Sequence, residues 1–423
     1  MRAVRPLLAL AFAVMAAWGV GASAGSTPEP ERALLVRLFE RADGTGDRLA
    51  LVDPRTLRPV SRRLRSFVDG FGGVFSPDRR LFAYGNGFDA RPLVQLIDVR
   101  TWSTRAMLNL GGDGPVAVSW PIQDRLIAVS GEGFGRQRLL VVAAPSGQVL
   151  SRWTFRGRWL ASATTPLGLV LLVAPERRMG AARILLAGVD GALRTIELPR
   201  VRAGGSEGRR RGGRFRVPGL TVDPEAGVAY VVAAGPMLVA RIEFASGAVD
   251  YHPLRVLDAA ERAVAAKGSV AAWWRKASWL GDGRIAVTGH YEPPFRPGRR
   301  MQLGPRPFGV RLIDTRDWTV RTLDRRAMLM HLAGELLLGN GTSWDVRARR
   351  RRSTGLLAFD ARGRGVFTRF RGADVSVLGS YDRLAYVWVR PTRMLHVLDL
   401  RAGQSLRSER VGPSRLPFLF SAD

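Results

Sequence analysis

Residues 72–110 read GGVFSPDRRLFAYGNGFDARPLVQLIDVRTWSTRAMLNL. Four short apolar segments follow one another here: GGVFSPD (72–78), RLFAYGNG (80–87), PLVQLID (92–98) and TRAMLNL (104–110). Ser-Pro-Asp separates the first pair and Asp-x-x-Thr the last pair. Asp, Ser and Thr at such places bond their own backbone and tighten a turn, so the stretch reads as four short strands joined up and down. We name them a to d from the centre outward.

The same phrase recurs along the chain. The c–d part returns as LALVDPRTLRPV, VQLIDVRTWSTRA, LLVVAAPSGQVL, ILLAGVDGALRTI, VARIEFASGAVD, VRLIDTRDWTVRT, LLAFDARGRGVFT and LHVLDLRAGQSLR. Its turn positions are Asp53, Asp98, Ala143, Asp190, Glu243, Asp314, Asp360 and Asp399, at steps of 45, 45, 47, 53, 71, 46 and 39 residues. The a–b part returns as VSWPIQDRLIAVS, TTPLGLVLLV, TVDPEAGVAYVV, SWLGDGRIAVT, HLAGELLLG and LGSYDRLAYVW. A repeat near this length made of short strands means a propeller with one blade per repeat. Strands b form continuous apolar runs such as LVLLVA because neighbouring blades cover both faces.

The expected fold is therefore all-β, a β-propeller of four-stranded antiparallel blades. Eight blades are expected, with seven as the alternative. The first blade (ALLVRLFER, RLALVDP, RPVSRRL) lacks a strand a, and LPFLFSAD (416–423) matches GGVFSPD without a strand b behind it. The C-terminal strand is thus expected to complete the N-terminal blade and close the ring.

This repeat resembles that of secreted bacterial propellers of the YVTN and TolB-like kind, relatives in shape of WD-repeat proteins. The resemblance rests on FSPDRRLFAYG, VQLIDVRTW and their repeats, and covers about residues 31–423. The YVTN tetrapeptide itself is absent. The resemblance implies the fold and leaves function open, because propellers host many functions.

The N-terminus reads as a separate segment. MRAVR is basic, PLLALAFAVMAAWGV is apolar, and Ala22-Ser23-Ala24 supplies small residues at a cleavage point. Residues 1–24 are expected to be a secretory signal, 25–30 a linker, and 31–423 one propeller domain, secreted and monomeric. The chain has no cysteine, which excludes disulfides and thiol chemistry. Its formal net charge is +29, of which Arg2 and Arg5 leave with the signal. Lysine occurs only at Lys267 and Lys276, so nearly all the basic residues are arginine. Such an excess favours anionic partners. Outside the cytoplasm these are cell-wall polymers, anionic lipid or polysaccharide sooner than nucleic acid, so the expected partner is an anionic envelope polymer or a protein.

Four connections exceed the repeat: 201–216, 255–269, 290–307 and 341–353. The second contains LDAAERAVAAKG, a short helix by pattern. The first two join d to a and the others join b to c, so all four emerge from one face. Arg209, Arg210, Arg211, Arg214 and Arg216 belong to the first, Arg296, Arg299 and Arg300 to the third, and Arg347, Arg349, Arg350, Arg351 and Arg352 to the fourth. Phe215, Tyr291, Phe295 and Trp344 lie among them. Arginine forks pair with carboxylate and phosphate and stack on rings, so these arginines are the candidate anion-binding set.

Catalytic patterns are missing. His252, His290, His331 and His396 are scattered singly, without metal-ligand spacing. GEGFGRQR (131–138) precedes a strand and not the helix a phosphate loop requires. AAPSGQVLSRW echoes the blade motif of quinone-dependent dehydrogenases, but Ser151 stands at the place of the docking tryptophan. No catalytic residue, cofactor or metal is assigned. The expected function is a secreted binding or scaffold propeller, the alternative a hydrolase or lactonase at the central tunnel mouth.

Overall fold

The computed structural model describes residues 35–39, 48–65, 72–85, 93–110, 116–131, 136–144, 146–176, 178–205, 215–235, 238–254, 272–292, 305–345, 350–411 and 419–421. The proposed signal segment, the 255–269 helix and most of the insertion tips lie outside them. Four-stranded antiparallel sheets built from consecutive strands dominate. The second sheet is the stretch quoted above, with strands Gly72–Phe75, Leu81–Gly85, Leu93–Asp98 and Ser103–Asn109.

Among the described residues, six sheets stand separately with four strands each. The expected count of eight, or seven, does not match that number. The remaining strands are joined through a short strand, Phe215–Val217. It pairs antiparallel with the end of Leu193–Gly205 and parallel with the start of Ala272–Trp279. Two four-stranded runs thereby merge into one ten-stranded sheet that also holds Arg306–Pro307.

The c–d turns have a common build. Backbone N–H groups of Thr56, Thr101, Arg316, Arg364 and Arg401 donate to the carboxylates of Asp53, Asp98, Asp314, Asp360 and Asp399 at 2.7–3.0 Å. Four positions after the turn residue the chain enters the left-handed region, at Leu57, Trp102, Gly147, Gly247, Trp318 and Gly403. Glycine accepts that conformation freely. Trp102 accepts it because its ring is buried against the preceding sheet, where Nε1 donates to the Leu49 carbonyl at 3.2 Å.

Strands b are the most buried. Every residue of Leu81–Gly85, Gly168–Ala174, Val228–Val232 and Leu384–Val389 is buried. The core is a series of apolar layers between sheets, such as that of Leu172, Ile184, Val231 and Ile242. Outer strands such as Gly365–Arg369 face solvent.

Leu419–Ser421 pairs with Leu35–Arg37. Phe420 packs near the rings of Phe82 and Tyr84, with centroids 5.9 and 5.7 Å away. The first and last sheets also meet: Tyr386 Oη donates to the Pro54 carbonyl at 3.2 Å, and Arg37 bridges Glu409 at 2.8 Å. Inner strands touch in chain order: Gly72–Phe75, Val116–Ile122, Arg158–Thr165, Gly219–Asp223, Ala272–Trp279, Leu329–Ala333, Val375–Tyr381 and Leu419–Ser421. The last lies against the first.

Candidate functional site

The insertion face is built from strand ends. Residues 201–205 finish the strand Leu193–Gly205, and Phe215–Val217 returns beside them. That strand then runs along Ala272–Trp274, just after the second insertion. The third insertion departs from Arg284–Glu292 and returns as Arg306–Pro307, which pairs back onto His290 and Tyr291. Arg306–Pro307 also touches Leu336–Asp345, the first arm of the fourth insertion. The roots of all four insertions therefore lie side by side.

The fourth insertion is shorter than its sequence suggests. Thr342–Asp345 and Arg350–Ser353 are paired strand and continue the ladder into it. Asp374 anchors it. The Thr342 hydroxyl donates to Asp374 at 2.9 Å, Arg390 bridges it at 3.2 Å, and Arg351 stands 4.0 Å away.

Of the candidate arginines, Arg351 and Arg352 are exposed on this hairpin. Arg350 belongs to the same strand, opposite Asp345. Arg216 is half-buried, its guanidinium beside Gly235. Arg209, Arg210, Arg211, Arg214, Arg296, Arg299, Arg300, Arg347 and Arg349 lie outside the described residues.

Rings and guanidiniums interleave at the roots. Phe215 lies 5.3 Å from Trp274, Trp274 stacks on His290 at 5.9 Å, and Trp273 lies 5.5 Å from Tyr291. The Arg158 guanidinium sits 4.6 Å from the Phe215 centroid. Arg275 and Arg311, both buried, approach Phe308 at 3.5 and 4.0 Å. Each such contact is worth roughly 0.5–2 kcal/mol, more where water is excluded. Burial, helped by the Arg275 charge, pushes His290 down to about 4, so its imidazole is neutral at pH 7. It is a member of the stack.

Sequence reading missed Arg158, Arg275 and Arg311. They occupy strands, where an arginine in a basic chain carries no distinguishing signal. Only Phe215 and Tyr291 pointed toward the cluster.

A second polar group occupies the hub. Lys276 Nζ donates to the Met330 carbonyl at 3.2 Å, and His331 Nε2 lies 3.2 Å from Ser380 Oγ. These residues come from three consecutive inner strands. Burial pushes Lys276 down to about 8. Burial, then the Lys276 charge, pushes His331 down to about 3.

No family model and no curated protein matches this chain. Solved structures do. A structure titled dihydro-heme d1 dehydrogenase NirN in complex with DHE is similar, with TM-score 0.58 and 15% identity over 95% of this chain and 78% of that one. The Saccharomyces cerevisiae protein Sqt1 is similar with TM-score 0.50 and 12% identity, over 82% of this chain and 86% of its own. Identities this low show the fold alone, which is the β-propeller.

Proposed function

We propose that this chain is an exported, monomeric propeller that binds and does not catalyse. The face carrying the four insertions recognises an anionic polymer or acidic partner of the cell envelope. One observation carries this reading: the insertion roots converge, with Arg216, Arg306 and the exposed Arg351 and Arg352 on the strands that pair there. Guanidinium forks there meet phosphate or carboxylate. The formal charge of +29 draws such partners in.

The same reading includes eight blades. The ten-stranded sheet counts as two blades bridged by Phe215–Val217, and Leu419–Ser421 is the inner strand that closes the ring. The order of inner-strand contacts supports both statements. Export rests on the N-terminal basic and apolar segment.

Retention on polyphosphate and on polyglutamate, at low and high salt, tests the binding claim. Retention at low salt that falls steeply with added salt is expected. Passage through both polymers at low salt refutes it.

A further inference from the structure

The face opposite the insertions carries a cleft of its own. It has a volume of about 310 Å³ and lies between two neighbouring c–d turns. Strand Arg284–Glu292 supplies Arg284, and Val310–Asp314 supplies Leu312 and Asp314. The turn behind that strand adds Arg316, and Val320–Asp324 adds Arg321. Arg362 comes from the next sheet, in the c–d turn that follows Arg350–Phe359. Leu312 is buried and the Arg284 side chain is 17% exposed, so one wall is set into the sheet.

Four guanidiniums thus line the cleft beside one carboxylate. Asp314 is engaged by Arg316, which donates to it through Nε at 2.9 Å and through Nη2. Asp282 stands 3.6 Å from Arg284 and is 84% exposed, a pair that solvent screens. Asp317 acts on Arg316 through its charge. Arg321 crosses to the neighbouring sheet, where its Nη2 donates to the Arg362 carbonyl. Gly363 makes that crossing possible: its φ is +72°, and a Cβ there would collide with Arg321 and Leu323. The Arg362 guanidinium is exposed and makes no hydrogen bond or ion pair among the described residues. Arg321 and Arg362 are like charges held across one joint, and a bound anion relieves their repulsion.

We propose that this cleft is a binding site for a small phosphate monoester, held by the forks of Arg321 and Arg362 with Arg284 as a further positive charge. A monoester presents three terminal oxygens and about two negative charges, enough for donors arriving from separate strands, whereas a carboxylate presents two oxygens and one charge. The volume falls at the lower end of ligand pockets, about 300–1,000 Å³, which suits a phosphorylated polyol or sugar and not a polymer. The site is separate from the insertion face and does not rest on the function proposed for that face.

Calorimetric titration of the whole chain with glycerol phosphate, succinate and glycerol tests the site. Saturable binding of glycerol phosphate is expected, with succinate roughly tenfold weaker and glycerol silent. Arg321→Gln/Arg362→Gln should weaken glycerol phosphate by about tenfold or more, while Arg351→Ser/Arg352→Ser on the insertion face keeps the parent affinity. Arginine labelling with phenylglyoxal, mapped by mass spectrometry, reads the same site in the unaltered chain. Glycerol phosphate should slow modification of Arg321 and Arg362 and leave the exposed Arg55 unaffected. Absence of saturable binding, succinate binding as tightly as glycerol phosphate, or equal protection of Arg55 would overturn the proposal. So would parent affinity in Arg321→Gln/Arg362→Gln. If that variant loses the circular dichroism of the parent, the labelling pattern decides.

Discussion

Mild acid should destabilise this protein well before its carboxylates titrate. His290 and His331 are held neutral, at about 4 and about 3, whereas an unfolded chain binds their protons near 6.5. Between pH 6.5 and those folded values the unfolded state therefore carries more protons, and stability falls as pH falls. At pH 5 each histidine lies about 1.5 pH units below its unfolded midpoint, which costs about 2 kcal/mol. Both residues keep some solvent contact, so about 2–4 kcal/mol for the pair is the expected loss from pH 7.5 to pH 5. His252 and His396 are also lowered, chiefly by burial, and act in the same direction. The turn carboxylates belong to a lower window. The Thr101 N–H holds Asp98 down, and hydrogen bonds from Arg316 hold Asp314 at about 2, so their contribution fades only below about pH 4. Urea unfolding at both pH values, for the parent and for His290→Gln/His331→Gln, measures the effect. The parent midpoint should fall sharply at pH 5, and the double variant should lose most of that fall. An unchanged parent midpoint, or a double variant with the full shift, would refute the reasoning.

Other perturbations test the architecture. Leu172→Asp places a carboxylate in a strand whose every residue is buried, losing about 2–5 kcal/mol of packing before the cost of the charge; soluble protein with the parent melting temperature would contradict the strand assignment. Removing residues 416–423 strips the partner of Leu35–Arg37 and the Phe420 contacts with Phe82 and Tyr84, so a large drop in melting temperature is expected, and normal melting would refute ring closure. Asp98→Ala should cost about 1 kcal/mol through its lost turn bonds, read from the urea midpoint, and no change would show the cap to be idle.

The repeat was legible because each turn carries its own chemistry. Asp98 with Thr101, or Asp53 with Thr56, is a local device that recurs at the blade spacing. The doubly buried strand Gly168–Ala174 was legible because LVLLVA has no polar alternation. The fusion of two strand runs was not. Phe215–Val217 meets Ala272–Trp274 in a parallel pairing across a long separation, which leaves no periodic trace. Insertion limits also escaped, since Thr342–Asp345 and Arg350–Ser353 continue a ladder through polar residues that read as loop. His290 read only as one of four scattered histidines, because its position in the Trp274 stack depends on tertiary packing. Lys276 and His331 meet across consecutive inner strands, and only the rarity of lysine marked the first of them.

The most direct measurement compares two variants of equal charge loss on polyphosphate across a salt series. One changes Arg216, Arg306, Arg351 and Arg352 on the insertion face to Ser. The other changes Arg55, Arg58, Arg100 and Arg401, exposed in the c–d turns of the opposite face, to Ser. The account predicts that the first variant loses most of its low-salt retention and flattens its salt dependence, while the second stays close to the parent. Equal losses in both would mean that net charge alone does the binding, contradicting a dedicated anion-binding face.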